Sequence, residues 1–364
     1  DNSLLSVAPG HSQLQSPCPS WISARGAPRR DTRAKHAVAT VVPVKRGGMD
    51  NARVRGLYPA LARRITFLDA PGGALPAEVV MRAMTTTIRG SLTAAGAVFA
   101  RSRHVSLLEE HARLAIADLT GGSASDVLLG GDVSMLLDVV ARAMARTWRL
   151  GDEIVLSRLD EEANIRPWIA AARAVGAQIR WAQFDLGSFE LPVWQFEQLI
   201  GRRTKVVALP AASAVVGTRP DVGAIAAIAH RHGAFVSVNA TGLAAHAPLD
   251  LAGLGADLLS VSLTALGGPH AAAVAAGPGV LHRLDTGWPG DGPARFERSG
   301  LGPEQLSGIV AAIDHIGDLV EREPTDPAAA SRRGRLEESL AAVEAYEQPL
   351  FDDFAARLRT IPGV

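Results

Sequence analysis

Cysteine and lysine are the residue types that this sequence has least of for its length. Its 364 residues include one cysteine, Cys18, so no disulfide can form within the chain. Its lysines are Lys35, Lys45 and Lys205, and the first two precede Met49 in a region without apolar periodicity. An enzyme that depends on a lysine amine or a cysteine thiolate therefore has few residues from which to build its site.

Long apolar runs are also missing, since no run approaches the ~18 residues that a transmembrane helix needs. Basic and acidic side chains balance at 37 each, so the net charge gives no sign of nucleic-acid or membrane-surface binding. Hydrophobic residues make up 47% of the chain, which is enough for a large core. Because no signal peptide is recognisable, we expect a cytoplasmic protein with neither nucleic acid nor a membrane as a partner.

The chain divides by composition near Met49. Residues 1–48 are rich in Ser, Pro and Arg without periodicity, and we expect an extension without regular structure, with Met49 as an alternative start. A basic targeting segment at Arg29–Lys35 is the other interpretation. We expect a large domain over residues 49–322, and a long helix within 323–364 that begins a truncated C-terminal small domain.

From Met49 onward, short apolar runs alternate with amphipathic stretches, a pattern that predicts an α/β fold. Leu258–Ser262 is predicted to be a strand followed by a Gly-Gly-Pro turn, and Ala234–Val238 a strand that leads into Asn239. Further strands are predicted at Ile65–Asp69, Asp126–Leu129, Glu153–Ser157, Gln178–Trp181, Lys205–Leu209 and Ala271–Ala276. Parallel strands present their carboxyl ends to one crevice, where open α/β sheets bind ligands.

One predicted helix opens with the turn Gly130-Gly-Asp-Val-Ser134, directly after a strand. A helix N-terminus attracts an anion through its dipole and its free N–H groups. Two interpretations are open here. Either the carboxylate of Asp132 caps the helix and opposes a second anion, or the turn holds a phosphate to which Ser134 donates.

Acidic residues also follow the strand at Glu153–Ser157. Asp160, Glu161 and Glu162 are consecutive and have no histidine nearby, a pattern typical of a solvated loop and helix start and not of a metal site. We therefore predict no metal site.

The order of these motifs resembles the class V aminotransferases, and among them the cysteine-desulfurase-like proteins. The resemblance is carried by Ser157–Trp168, Arg202–Ala208, Leu249–Asp257 and Asp257–His270. It implies the type I fold of pyridoxal-phosphate (PLP) dependent transferases, an α/β fold with a mostly parallel, seven-stranded type of sheet flanked by helices. It also implies PLP as cofactor and a homodimer, in which Arg295–Gly300 matches the segment that reaches the partner subunit.

The resemblance assigns individual positions to the PLP site. The family's Schiff-base lysine matches Ala265, the only catalytic position that we assign. The aspartate that pairs with the pyridine nitrogen matches Asn239, and the histidine that stacks on the ring matches Glu161. The asparagine that contacts the phenolic oxygen matches Ala214. The full set of expected cofactor-binding positions is Asp132, Val133, Ser134, Glu161, Ala214, Asn239, Gly242, Ser262 and Thr264.

The lysine inventory sets what chemistry we expect. PLP catalysis needs an amine and a partner that keeps the pyridine nitrogen protonated. Lys205 begins its strand, so it is expected roughly 15 Å from the crevice for a strand rising ~3.3 Å per residue. We predict that PLP catalysis is lost and that the protein acts as a pseudoenzyme or as the partner of an active paralogue.

Two alternatives stay open. One is an enzyme that binds PLP non-covalently, or acts without PLP on a small amino compound, and the other is a decayed gene product. We expect Ala265, Asn239, Glu161 and Asp132 to line one cavity without a basic side chain in place of the lysine. Arg298 is the arginine that we would expect to hold a phosphate if PLP binds non-covalently.

Overall fold

The computed structural model describes residues 49–63, 65–69, 72–90, 95–323 and 331–363, so the predicted extension at 1–48 lies outside the described residues. The helices in the described part are α1 (Asn51–Gly56), α2 (Glu78–Arg89), α3 (Ala100–Thr120), α4 (Val133–Ala145), α5 (Glu162–Val175), α6 (Val193–Leu199), α7 (Val222–Arg231), α8 (Pro303–Gly317) and α9 (Arg332–Leu358). The strands are β1 (Val127–Gly130), β2 (Glu153–Ser157), β3 (Gln178–Ala182), β4 (Thr204–Pro210), β5 (Phe235–Asn239), β6 (Leu258–Ser262) and β7 (Ala272–Ala276).

These strands form one sheet in the order β1-β7-β6-β5-β4-β2-β3. The pairs β2–β3, β2–β4, β4–β5 and β5–β6 are parallel, and β7 is antiparallel to both of its neighbours. The predicted α/β fold with a mostly parallel, seven-stranded sheet is therefore confirmed. The carboxyl ends of β2, β4, β5 and β6 lie at the same edge, which is where the sequence placed its crevice.

Helices cover both faces of the sheet, which explains why the strands are apolar without alternation. Along β4, Val207 and Leu209 point to one core, which α3, α7 and α8 complete. Val206 and Ala208 point to the other core, which α4 and α5 complete with residues such as Leu137. A polar side chain in the middle of such a strand would lose its hydration, and the buried exceptions at the centres of β5 and β6, Ser237 and Ser260, carry only small hydroxyl groups.

One predicted strand is wrong. Residues 65–69 are not a strand and pair with no other strand among the described residues. The side chains of Phe67 and Leu68 are 45% and 89% exposed, so this apolar run is not part of the core. Just before this segment, α1 is followed by a separate 3-10 turn at Pro59–Ala62.

The long helix expected within residues 323–364 corresponds, in the described part, to α9 at Arg332–Leu358. Its first half packs on α8 and α3 through buried side chains that include Leu336 and Leu340, and Ser339 Oγ donates to the carbonyl of Gly317 at 2.8 Å. Pro349 lies inside the helix, and beyond it Phe351 and Phe354 are exposed. Among the described helices, none combines the length and apolar content that crossing a bilayer requires.

A buried ion pair holds β1 against the loop that precedes α8. Arg113 on α3 donates from both terminal nitrogens to the carboxylate of Glu297, at 2.7 Å each. Glu297 also accepts from the backbone N–H of Leu129 at 2.6 Å, and Arg113 donates to the carbonyl of Val127. The two side chains are only 14% and 10% exposed.

The substitution Glu297→Ala tests this pair. It leaves the buried guanidinium of Arg113 without its main partner, so we expect the free energy of unfolding to fall by about 3–5 kcal/mol. Glu78→Ala, which removes the exposed pair with Arg82, is the control and should cost less than about 1 kcal/mol. Urea denaturation measures both, and equal losses would contradict the prediction.

Candidate functional site

Two neighbouring cavities lie at the carboxyl edge of the sheet. The first, named here the Asp132 cavity, has a volume of about 680 Å³ and is bounded by the N-terminus of α4 and the ends of β5 and β6. The second, the Ala265 cavity, has a volume of about 610 Å³ and is bounded by the loops after β4 and β5 and by α9. Glu161 and Thr241 line both cavities, so they form a shared wall.

The structure divides the sequence-predicted site residues between these cavities instead of placing them in one. The Asp132 cavity is lined by Asp132, Val133, Glu161, Asn239, Ser262 and Thr264. The Ala265 cavity is lined by Glu161, Ala214, Gly242 and Ala265. Ser134 lines neither cavity and contributes only its backbone N–H to the cap of α4.

The cap of α4 decides between the two interpretations of the glycine-rich turn. Asp132 is the N-cap residue, and its Oδ1 accepts from the backbone N–H of Ser134 at 2.7 Å. The carboxylate thus takes one of the N–H groups that an anion would use, and it adds a negative charge at the same point. The helix-capping interpretation is confirmed.

Asp160 lies beneath the shared wall and joins β2 to β5. Its Oδ1 accepts from the backbone N–H of Glu161 at 2.8 Å and from Nδ2 of Asn239 at 3.2 Å. Its Oδ2 accepts from Nδ2 of Asn164. The Oδ1 of Asn239 in turn accepts from the backbone N–H of Thr241 at 3.1 Å, so the Asn239 amide is fixed on both sides.

Burial raises the pKa of Asp160 to about 6, although the hydrogen bonds from Asn164, the Glu161 backbone and Asn239 act to lower it. The prediction of a solvated position is therefore wrong for Asp160, whose side chain is half-buried and hydrogen-bonded. The one signal in the sequence was Asn164, placed one helical turn after Asp160, but that spacing is common on any helix.

Helix α9 closes one side of the Ala265 cavity with two ion pairs. Glu344 pairs with Arg219 at 2.5 Å, and Glu347 lies 2.8 Å from Nδ1 of His246. The hydrogen bond to Glu347 raises the pKa of His246 above its ordinary value. Sequence reasoning missed these four residues because the partners are 125 and 101 residues apart and no local pattern links them.

The loop after β5 is held close to the loop after β4. A Cβ atom built on Gly242 would lie 2.7 Å from the carbonyl oxygen of Ala212, which is closer than such atoms approach. Glycine at this position therefore allows the two loops to form a continuous wall beside Ala214.

The basic residues considered from the sequence lie elsewhere. Lys205, the single lysine of the described ranges, is near the amino end of β4, with Nζ 3.5 Å from Asp152 Oδ1. The guanidinium of Arg298 lies 5.7 Å from the centre of the Trp288 ring, and Arg298 lines neither cavity. In the part of the chain that the structure describes, no group of three acidic, histidine or cysteine side chains is placed to hold a metal ion.

A comparison with known families covers the part of the chain that forms this sheet and its carboxyl edge. A family model described as aminotransferase class-V matches residues 66–282. The chain belongs to the class V aminotransferase family. Among relatives, an uncharacterized protein of Mycobacterium tuberculosis (strain CDC 1551 / Oshkosh) is 37% identical over 322 residues, covering 86% of this chain and 79% of that protein. A cysteine desulfurase of Klebsiella pneumoniae (strain 342) is 27% identical over 342 residues, covering 86% and 78%.

Solved structures agree on the fold. The cysteine desulfurase CsdA of Escherichia coli superposes with a TM-score of 0.66 at 23% identity, covering 76% of this chain and 73% of that one. A mutant of the lyase C-DES with glycine covalently linked to the PLP cofactor gives a TM-score of 0.63 at 20% identity, covering 71% and 72%. PLP is a cofactor of this family and of these structural neighbours.

The side chains of this class V aminotransferase-like protein do not fit a Schiff-base-bound PLP. Ala265 offers no amine, and Lys205 is bound to Asp152 near the opposite edge of the sheet. At Asn239, the position that the resemblance matches to the partner of the pyridine nitrogen, the side chain is a neutral amide that donates to Asp160. At the N-terminus of α4, the Asp132 carboxylate opposes a phosphate.

The pKa of Asp160 generates a stability prediction. Its folded value of about 6 lies above the ordinary aspartate value of 3.9, so its contribution to stability is present below about pH 4 and lost as the pH rises through 6. The full difference is about 3 kcal/mol. Asp160→Asn keeps a neutral side chain, so its unfolding free energy should not show this loss in urea denaturation between pH 4 and 7.5.

Asp185 provides a control of opposite sign. Hydrogen bonds from the backbone N–H groups of Ser188 and Gly187 lower the pKa of this exposed carboxyl. Its contribution is therefore present at neutral pH and lost as the pH falls, so Asp185→Asn should differ from the wild type mainly at neutral pH. If Asp160→Asn and the wild type show the same pH dependence, the assignment to Asp160 is wrong.

Proposed function

We propose that this class V aminotransferase-like protein has lost PLP catalysis and acts as a pseudoenzyme. The observation that carries the proposal is the separation of Ala265 from Lys205, the sole lysine of the described ranges. Ala265 lies in the 3-10 turn directly after β6, at the carboxyl edge of the sheet. Lys205 lies near the amino edge, where Asp152 holds its amine. No movement of a single side chain brings that amine to the cavity, because a strand of this length spans roughly 20 Å.

The environment of Asn239 supports the same proposal. Its amide donates to Asp160, so the negative charge in this corner belongs to the β2–α5 loop and not to β5. An aspartate at 239 would lie against the Asp160 carboxylate, and two adjacent carboxylates do not ionise together easily. The hydrogen bond from Asn239 to Asp160 thus stabilises an arrangement in which position 239 carries no charge.

An enzyme that binds PLP non-covalently is the second candidate, and one observation favours it. Arg219 and His246 line the Ala265 cavity, so basic groups are present there although Arg298 is not. Both are engaged by carboxylates of α9, and a phosphate would have to displace Glu344 or Glu347.

We also propose a homodimer, with an active paralogue as the alternative partner. Family membership supports the homodimer. The missing Schiff-base amine supports the complex with an active paralogue, because an inactive subunit can still act as a structural partner. Light scattering of the purified chain, alone and with a catalytically competent class V aminotransferase of its host, distinguishes the two assemblies.

Absorbance spectroscopy tests the proposal directly. Purified protein mixed with PLP should show no Schiff-base band near about 410–430 nm, because no amine is placed to form it. Borohydride reduction followed by mass spectrometry should find no pyridoxyl group on Lys205. A stable band that survives dialysis would overturn the proposal.

Restoring the lysine alone should not restore activity. In Ala265→Lys, the new amine faces PLP without a carboxylate at 239 and with Asp132 opposing the phosphate, so transamination and cysteine desulfuration should stay at the level of the parent protein. Ala214→Lys, on the same cavity wall, controls for non-specific amine chemistry. Turnover by Ala265→Lys above that control would show that the remaining site is still competent.

A further inference from the structure

Glu161 is the charged residue that both cavities share, and its carboxylate has no partner among the residues that the structure describes. Its backbone N–H donates to Asp160, and its carbonyl accepts from the N–H groups of Asn164 and Ile165. It is the N-cap residue of α5, yet its side chain makes no capping hydrogen bond. Within the described residues, no side chain or backbone group donates to the carboxylate of this half-buried side chain. A carboxylate that faces two cavities without a protein donor is available to a ligand of opposite charge.

The basic residues that line the Ala265 cavity together with Glu161 are already paired. In the Ala265 cavity, Arg219 is paired with Glu344 and His246 with Glu347. In the Asp132 cavity, Asp132 adds a second carboxylate. Asp160, next to Glu161 in the chain, is partly ionised near neutral pH because its pKa is about 6. The shared wall therefore carries uncompensated negative charge, and charge of the opposite sign is attracted to it.

The polar groups beside Glu161 can accept hydrogen bonds from an ammonium group, but they are too few to coordinate a metal ion. Thr241 Oγ1 accepts from the backbone N–H of Ser262 at 3.1 Å, which leaves it a free lone pair and a rotatable hydrogen for a ligand. Hard metal ions need several oxygen ligands arranged around one point, and no such group exists among the described residues. An ammonium group needs only one carboxylate and one or two further acceptors.

Apart from its two ion pairs, the Ala265 cavity is lined near Glu161 by small, uncharged residues. Ala214, Gly242 and Ala265 leave room in the Ala265 cavity, and Phe351 of α9 adds an apolar surface. A short aliphatic body fits such walls, whereas a phosphorylated ring would meet Glu344, Glu347 or Asp132.

We propose that the shared wall binds a small aliphatic amine, whose ammonium group pairs with the carboxylate of Glu161 and whose body lies in the Ala265 cavity. The proposal rests on the proposed function, because a cavity that holds PLP through a Schiff base would not be free for such a ligand. Glu161 is then a binding residue and not the relic of a stacking position.

Titration calorimetry at low salt tests the proposal with butylamine and 1,4-diaminobutane as probes, and with 1-butanol and butyrate as the neutral and anionic counterparts. We expect at least one amine to bind with a Kd below about 1 mM, and neither counterpart to bind measurably. Glu161→Gln should weaken amine binding by at least about tenfold, because it removes the charge and keeps the shape.

Glu162→Gln is the matched control. Glu162 is the next residue, is exposed, pairs with Arg166 and lines neither cavity, so its loss should leave amine binding unchanged. Without ligand, Glu161→Gln should have a thermal midpoint equal to or above that of the wild type, since it removes an unpaired charge. Reduced amine binding by Glu161→Gln supports the proposal if the thermal midpoint of the variant is at or above that of the wild type, because such a midpoint excludes misfolding.

Three results overturn the proposal: no heat from either amine up to about 20 mM, equal amine binding by Glu161→Gln and the wild type, or butyrate binding as tightly as butylamine. The PLP absorbance experiment keeps the two proposals apart. A Schiff-base band with PLP overturns the proposed function, whereas the absence of both that band and amine binding overturns this inference alone.

Discussion

Burial of the sheet on both faces is the constraint from which the rest of the structure follows. Because helices cover each face, the middle of β4 carries only the apolar side chains of residues 206–209, and its polar residues Thr204 and Lys205 lie at its amino end. The carboxyl edge thus collects Asp160, Glu161 and Asn239 within reach of one another. A ligand site at that edge is a property of the fold, and the side chains placed there decide which ligand it accepts.

The side chains at this edge form a self-consistent set. Asp160 needs donors because it is half-buried, and Asn239 and Asn164 supply them. Asp132 needs a helix N-terminus and finds it at α4. Exchanging Asp160, Asn239 or Asp132 for another residue type disturbs the neighbours as well, because these side chains are tied together or to the backbone by hydrogen bonds. The proposed loss of PLP catalysis therefore involves a connected group of residues and not one missing lysine.

Local patterns predicted what local forces determine. The strands β2 and β6 have the predicted bounds, because short apolar runs are flanked by charged or turn residues. The Asp132 cap follows from the chemistry of a helix start. Residues 65–69 have the same apolar pattern but no partner strand in the described ranges. Strand pairing depends on distant parts of the chain, so the local pattern could not predict this. The pair Arg219–Glu344 depends on how α9 crosses the loops after β4 and β5, a tertiary relation that no window of sequence holds.

Pro349 gives α9 an internal boundary. Proline has no backbone N–H to donate to the carbonyl of Ala345, so the helical hydrogen-bond ladder is interrupted one turn after Glu344. Fraying that begins at Leu358 therefore meets a break before it reaches the half that is packed on α8. We expect the amide hydrogens of the last turns to exchange faster than those of the half that is packed on α8. The ion pairs of Glu344 and Glu347 can then hold their part of the Ala265 cavity wall while the end of the helix opens and closes.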